Sequence, residues 1–163
     1  NAHKKMRQWQ QWSSETIPSL IKPFLTYQWL SRNFWHHIDY EQPECSYFIA
    51  CFPLYLDIWL VPGLQMVDLA VCPCAPAALQ LLQMGYFPSA PLGPTLAVSL
   101  QLLSLVRQVF MHMPPNISAW CESLEAYLAS MGYKVDTKEG ICQRFSNAYH
   151  WYCILEISVN EYV

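Results

Sequence analysis

Charged side chains are scarce in this chain. Only 13% of its 163 residues are Asp, Glu, Lys or Arg, against about 25% in ordinary globular domains. The net charge of −3 excludes the chain as a whole from acting as an electrostatic trap for nucleic acid. Between Asp39 and Leu105 there is no Lys or Arg at all. Lys4, Lys5, Arg7, Lys22 and Arg32 stand near the front, and Arg107, Lys134, Lys138 and Arg144 near the back. Phosphate contacts, where the chain makes them, must therefore come from its two ends. The cluster His3, Lys4, Lys5 and Arg7 reads by itself as a solvated start. A long apolar run is missing too: the most apolar stretch, Thr95 to Met113, is interrupted by Gln101, Ser104, Arg107 and Gln108, which argues against a membrane span. The start is polar and holds tryptophan, so no secretory signal is read. The expected compartment is nuclear or cytoplasmic, and reducing, with no membrane partner. The sequon Asn116-Ile117-Ser118 then carries no glycan.

Apolar residues fill the space that charge leaves: the chain is 53% hydrophobic and 15% aromatic. That is enough for one domain with a substantial core. A surface so poor in charge is expected to be covered in part by a second copy or by the rest of a larger protein. The first residue, Asn1, and the apolar-periodic stretch that runs to Val163 favour the larger protein.

Three parts follow one another, and the expected class is α+β, mostly helical. Residues 1–38 form a helical N-terminal segment, 39–75 a cysteine-bearing β-hairpin, and 76–163 a C-terminal helical bundle. Pro18 and Pro23 each remove an amide donor and crowd the preceding turn, so Arg7 to Phe34 is expected to split into two or three short helices. Ile17, Leu20, Ile21 and Phe24 give that segment a buried face, and Trp9, Trp12, Trp29 and Trp35 are read as packing residues. "LYLDIWLV" and "LQMVDLAV" flank Pro62-Gly63, the sequence of a type II turn between two strands. Leu64, Met66, Asp68 and Ala70 alternate with Gln65, Val67, Leu69 and Val71, so neither face is purely polar and the hairpin is expected to be largely covered.

Beyond it, Pro76 suits the first turn of a helix that Gly85 ends. Thr95 is the expected cap of the next helix, which runs to Met113 with most of its circumference buried. Ser118 to Met131 places Trp120, Leu124, Tyr127, Leu128 and Met131 on one face, ending at Gly132. Asp136 and Glu139 fit a cap for the last helix, whose apolar face is Ile141, Phe145, Ala148, Tyr152, Leu155 and Val159.

Seven cysteines is an odd number that a fully disulfide-bonded domain would avoid. Four of them, Cys45, Cys51, Cys72 and Cys74, fall within thirty residues and are the candidate ligands of one zinc ion. Residues i and i+2 of an extended strand point to the same face, so Cys72 and Cys74 can aim at one point, and Pro73 favours an extended Cys72. Cys45 and Cys51 are six apart and share that parity. The wider C-x5-C spacing keeps two alternatives open: His36 or His37 replacing Cys45 as a ligand, or buried thiols with no metal. Cys121, Cys142 and Cys153 are scattered and read as packing thiols.

The segments "VCPCAPAALQLLQMGYFPSAPLGPTLAV", "PPNISAWCESLEAYLASMGYKV" and "RFSNAYHWYCIL" resemble the cysteine-cluster (CxC-type) region associated with fungal KDZ transposases. The Cys-x-Cys pair, the "GYFP-x-AP" turn, the "PN-x-x-AW" helix start and the "RFSNA-x-HWY" helix carry the resemblance over Val67 to about Leu155. "QWQQWSSETIPSLIKPFLTY" is similar to the lead-in of the same proteins. The resemblance implies a zinc-chelating module used in DNA binding, upstream of a transposase domain with an RNase H-like fold. Cys72 and Cys74 match the Cys-x-Cys pair, and Cys45 and Cys51 match the upstream cysteines, here more widely spaced and with no Lys or Arg after them. The transposase domain is not in this sequence, so the chain is expected to be a fragment without catalytic activity.

The leading expectation is thus a non-catalytic accessory module of a transposon-derived protein, zinc-stabilised and making DNA or protein contacts. Its partners would be the remainder of a larger transposase-like protein or another protein. The alternative is a metal-free hydrophobic interaction or packing module, or a truncated inactive copy. Pairings such as Cys121 with His150, or Cys153 with His112, have no order or spacing that marks a nucleophile and its base. Asp39, Asp57, Asp68 and Asp136 likewise form no local metal-carboxylate pattern.

Overall fold

The computed structural model describes residues 1–41, 52–60, 63–134 and 140–163, with the backbone alone for 52–60 and Gly63. The fold is α+β and mostly helical. Helix α1 (Ala2–Gln11) runs through a π-helical turn (Trp12–Thr16) into α2 (Ile17–Leu30) without a break. Two or three separate helices were the expectation from Pro18 and Pro23. The wider turn just before Pro18 instead relieves the clash its ring would make with the carbonyl four residues back, and the path stays helical. Pro23 sits inside α2. Past the end of α2, Arg32, Asn33 and Phe34 have φ of 50°, 56° and 69°, a left-handed run that ordinary side chains resist. The Ser31 hydroxyl accepts the Phe34 amide (3.0 Å), and the Gln101 side chain donates to the Phe34 carbonyl.

The hairpin forms from β1 (Phe52–Leu60) and β2 (Gly63–Val71), antiparallel, with Phe52 opposite Val71 and Leu60 opposite Gly63. Pro62 of the expected turn lies outside the described residues, and Gly63, the other central residue of that expected turn, is instead the first residue of β2. Two further strands were not expected: β3 (Tyr86–Pro88) and β4 (Leu96–Ser99). β4 pairs parallel with β1, Ile58 opposite Ala97, and β3 pairs antiparallel with β4. The sheet order is β2-β1-β4-β3. β2 is therefore an outer strand. Leu69 and Val71 face inward while Met66, Asp68 and Ala70 face solvent, so β2 is covered on one face, where the hairpin was expected to be largely covered.

Helix α3 (Ala77–Gln83) follows β2 and ends at Met84 and Gly85. Gly85 has φ +90°, and a Cβ there would lie 2.3 Å from the Tyr27 hydroxyl, so the close approach of α2 requires glycine. Helix α4 (Leu100–His112) starts later than the sequence suggested, because Leu96–Ser99 is a strand. Its cap is Ser99, which accepts the Leu102 amide at 3.1 Å, in place of Thr95. Only Leu100, Leu102, Leu103 and Val106 are buried on α4, and Leu105 and Met111 are exposed, so its covered face is narrower than expected. Helix α5 (Ile117–Ser130) is capped by Asn116. It buries Cys121 and Leu128, while Tyr127 and Met131 of the expected face are exposed.

Helix α6 (Ile141–Tyr162) buries all six expected residues, Ile141, Phe145, Ala148, Tyr152, Leu155 and Val159. Asp136 and Glu139, its expected caps, lie outside the described residues.

β4 shows how the sheet divides the interior. Leu96 and Val98 join the large cluster with Trp12, Phe24, Phe87 and Tyr152, and Ala97 joins a smaller cluster with Leu69, Val71 and Leu81. Alternate side chains of one strand thus enter two cores. Helix α3 touches both, through Ala78 and Leu82 on one side and Ala77 and Leu81 on the other.

Candidate functional site

Cys72 to Ala75 is a reverse turn at the end of β2. The Ala75 amide donates to the Cys72 carbonyl (3.0 Å), and the Cys72 amide to the Ala75 carbonyl (3.5 Å). Pro73 suits the second position of such a turn because its φ is already fixed. The turn brings the two sulfurs together: Cys72 and Cys74 are disulfide-bonded, with Cα atoms 5.4 Å apart. They converge as the sequence suggested, through a turn and not along an extended strand. Cys72 is buried and Cys74 exposed.

One buried amide holds the turn in place. Gln80 of α3 is 1% exposed. Its Nε2 donates to the Ala75 carbonyl (2.7 Å) and the Ala70 carbonyl (2.8 Å). Its Oε1 accepts from the Tyr40 hydroxyl (3.3 Å), and burial raises the Tyr40 phenol above its ordinary value. Gln80 therefore ties β2, the turn, α3 and the 31–41 segment together. Sequence reasoning missed it. The available signal was a glutamine inside the otherwise apolar "AALQLL", where a polar group must find partners.

Cys74 opens on a groove of about 640 Å³, which Lys22, Asp39, Tyr40, Glu41 and Gln83 also line. Cys45 and Cys51 lie outside the described residues. Among the described residues, no group of three or more His, Cys, Asp and Glu is placed to hold a metal ion. His36 and His37 are exposed. The described residues bring two sulfurs to one point, bonded to each other; only after reduction would they be two of the four ligands that a structural zinc site requires.

The remaining thiols lie elsewhere. Cys121 is buried between α5 and α6, and its Sγ donates to the Cys142 carbonyl (3.8 Å). Burial first, then the neighbouring Cys142, push this thiol up to about 12, the opposite of what a nucleophile needs. Cys153 is raised as well, chiefly by burial.

The three tryptophans read as packing residues besides Trp12 differ from expectation. Trp12 is buried, but Trp9, Trp29 and Trp35 are 57%, 79% and 81% exposed. No helix among the described residues is long and apolar enough to cross a membrane.

Residues 28–132 match the family model described as "CxC1 like cysteine cluster associated with KDZ transposases". The matched span holds all four candidate cysteines and the sheet, and it stops before α6. No curated protein and no solved structure matches the chain.

Proposed function

The chain belongs to the CxC1-like cysteine-cluster family associated with KDZ transposases, and on that premise we propose that it is a non-catalytic accessory module of a transposon-derived protein. Zinc held by the cysteine cluster stabilises it, and it contributes contacts to nucleic acid or to the rest of a larger protein. The observation that supports this reading is the convergence of the Cys72 and Cys74 sulfurs on a turn fixed by Gln80.

A sulfur–sulfur bond and thiolate ligation exclude one another. Two-electron reduction breaks the bond and, with two protons, gives two thiols; both protons leave when metal binds. A reducing compartment supplies that first step. Cys45 and Cys51 supply the other two thiolates. Bound zinc would then cross-link the hairpin end to the segment that holds Cys45 and Cys51 and so contribute to folding.

Metal analysis of protein purified under reducing conditions tests the reading. The expected result is about one zinc per chain, lost in the Cys72→Ser/Cys74→Ser variant. Less than about a tenth of a zinc per chain would overturn it.

A second reading, a metal-free interaction module, is favoured by the exposed Trp29, Leu30 and Trp35. Exposed aromatic surface of this kind marks interfaces. The same metal analysis separates the two, because this reading expects no zinc on the purified protein.

A further inference from the structure

A second cleft shares no lining residue with the groove beside Cys74. It is about 850 Å³ in volume and runs between α1, the 89–95 loop and α6. Lys4 and Lys5 line one side, Arg144 and His150 the other, and Trp9 and Trp151 lie between them. Among its lining residues there is no Asp or Glu. In a chain with net charge −3, this collects cations in one concavity without their counterions. Such a geometry focuses a positive potential on whatever enters.

Two further observations make the cleft a receptor and not a solvated face. The Arg144 Nε is buried and has no hydrogen-bond partner among the described residues. No acceptor of the described chain offsets the guanidinium at that nitrogen, so its charge stays available to the cleft that Arg144 lines. The only ion pair among the described residues is Arg107 with Glu156 on the other side of α6, so that carboxylate does not serve Arg144. Trp9, for its part, exposes more than half its surface at the edge of the cleft. Its ring is held edge-on to Trp151, with centroids 6.2 Å apart. An indole fixed in place but open on one side is a stacking platform.

From these residues we infer that the α1–α6 cleft binds single-stranded nucleic acid, its phosphates on Lys4, Lys5 and Arg144 and a base on Trp9. A concave cationic track with an aromatic platform suits a flexible strand whose bases are free to stack. A duplex presents its bases already stacked, so Trp9 would have nothing to receive. The charge-poor sheet and cysteine turn take no part. This deepens the contact role proposed above but rests on separate residues. Protein that carries no zinc when purified under reducing conditions, yet binds an oligonucleotide, would sink the zinc reading and leave this one intact.

The test is fluorescence anisotropy of the full chain with a labelled single strand of about fifteen nucleotides, titrated across salt concentration. The Lys4→Gln/Lys5→Gln/Arg144→Gln variant should bind at least tenfold more weakly. Its log K against log salt slope should be less negative by about 2, from three phosphate contacts at about 0.7 each. The Trp9→Leu variant should keep the parent slope and lose roughly tenfold in affinity. The Lys4→Gln/Lys5→Gln pair alone changes only exposed residues of α1, so it tests the cleft even where loss of Arg144 disturbs folding. Parent-like affinity and slope in that pair overturns the inference. So does equal competition by polyglutamate, which would mark an acidic-protein site, or a preference for duplex over single strand.

Discussion

The indole of Trp12 stacks on that of Trp151, with ring centroids 5.3 Å apart and planes 14° from parallel. On its other face Trp12 stacks on Phe87 of β3, at 5.6 Å and 8°. One side chain in the π-helical turn thus joins the front of the chain to α6 and to the sheet. Helix α1 buries none of its own residues, so its position beside α6 rests on this stack together with the edge-on contact of Trp9 with Trp151.

Trp12→Ala removes a 2%-exposed ring from between two others. The expected loss is about 3–5 kcal/mol, the range for large aromatic truncations in cores. In a chain of this size that lowers the melting temperature by roughly 10 °C. Trp9→Ala, at a mostly exposed ring, should change it by only a few degrees. Thermal melts of the two variants decide the matter: equal shifts would mean that Trp12 does not organise the junction.

Gln80 makes a prediction of a different kind, about the cysteine turn. Gln80→Leu keeps the size of the side chain but removes both donors from the Ala70 and Ala75 carbonyls. Two lost hydrogen bonds cost about 2 kcal/mol. The local consequence is sharper, because Cys72 is only 3% exposed. In reduced protein, iodoacetamide should label Cys72 several-fold faster in this variant than in the parent. Gln83→Leu, on the exposed side of the same helix, is the control and should leave the rate unchanged. Slow labelling in Gln80→Leu would show that the turn holds without its amide.

Legibility from sequence followed how local each cause was. The face of α6 was readable residue by residue, because one helix buries one stripe and the period survives in the sequence. The hairpin was readable from its alternation, but not the position of its turn, since Gly63 is already in β2, opposite Leu60. β4 was not readable. Leu96–Ser99 runs directly into the apolar first turns of α4, and pairing with β3 and with β1, where Ile58 stands opposite Ala97, makes it a strand. In the candidate site, the convergence of Cys72 and Cys74 was visible in their spacing. Gln80 was not, since a buried amide earns its partners only in three dimensions. The cleft was half visible: the basic residues at both ends of the chain were plain, but nothing local says that α1 and α6 face each other. Trp29 and Trp35 show the converse limit, because composition cannot separate an exposed indole from a packed one.

Alkaline stability carries the last prediction. Burial, aided by Cys142, raises the Cys121 thiol from 9 to about 12, and burial with Glu156 raises the Tyr152 phenol. Both groups are neutral when protonated. Above the unfolded thiol value the unfolded chain has released protons that the folded chain still holds. Stability therefore falls with rising pH in that range, and it is fully present below it. The window opens near pH 9 for Cys121 and closes near its folded value of about 12. Denaturant midpoints measured from roughly pH 8 to 11 should be flat at first and then decline. Cys121→Ala should be less stable throughout because it opens a small cavity, yet its decline should be shallower, since one of the coupled protons is gone. The decline should not vanish, because Tyr152 and the raised Cys153 remain. Parallel curves for parent and variant would mean that the Cys121 thiol ionises alike in the folded and unfolded chain, and that its burial between α5 and α6 is not maintained in solution.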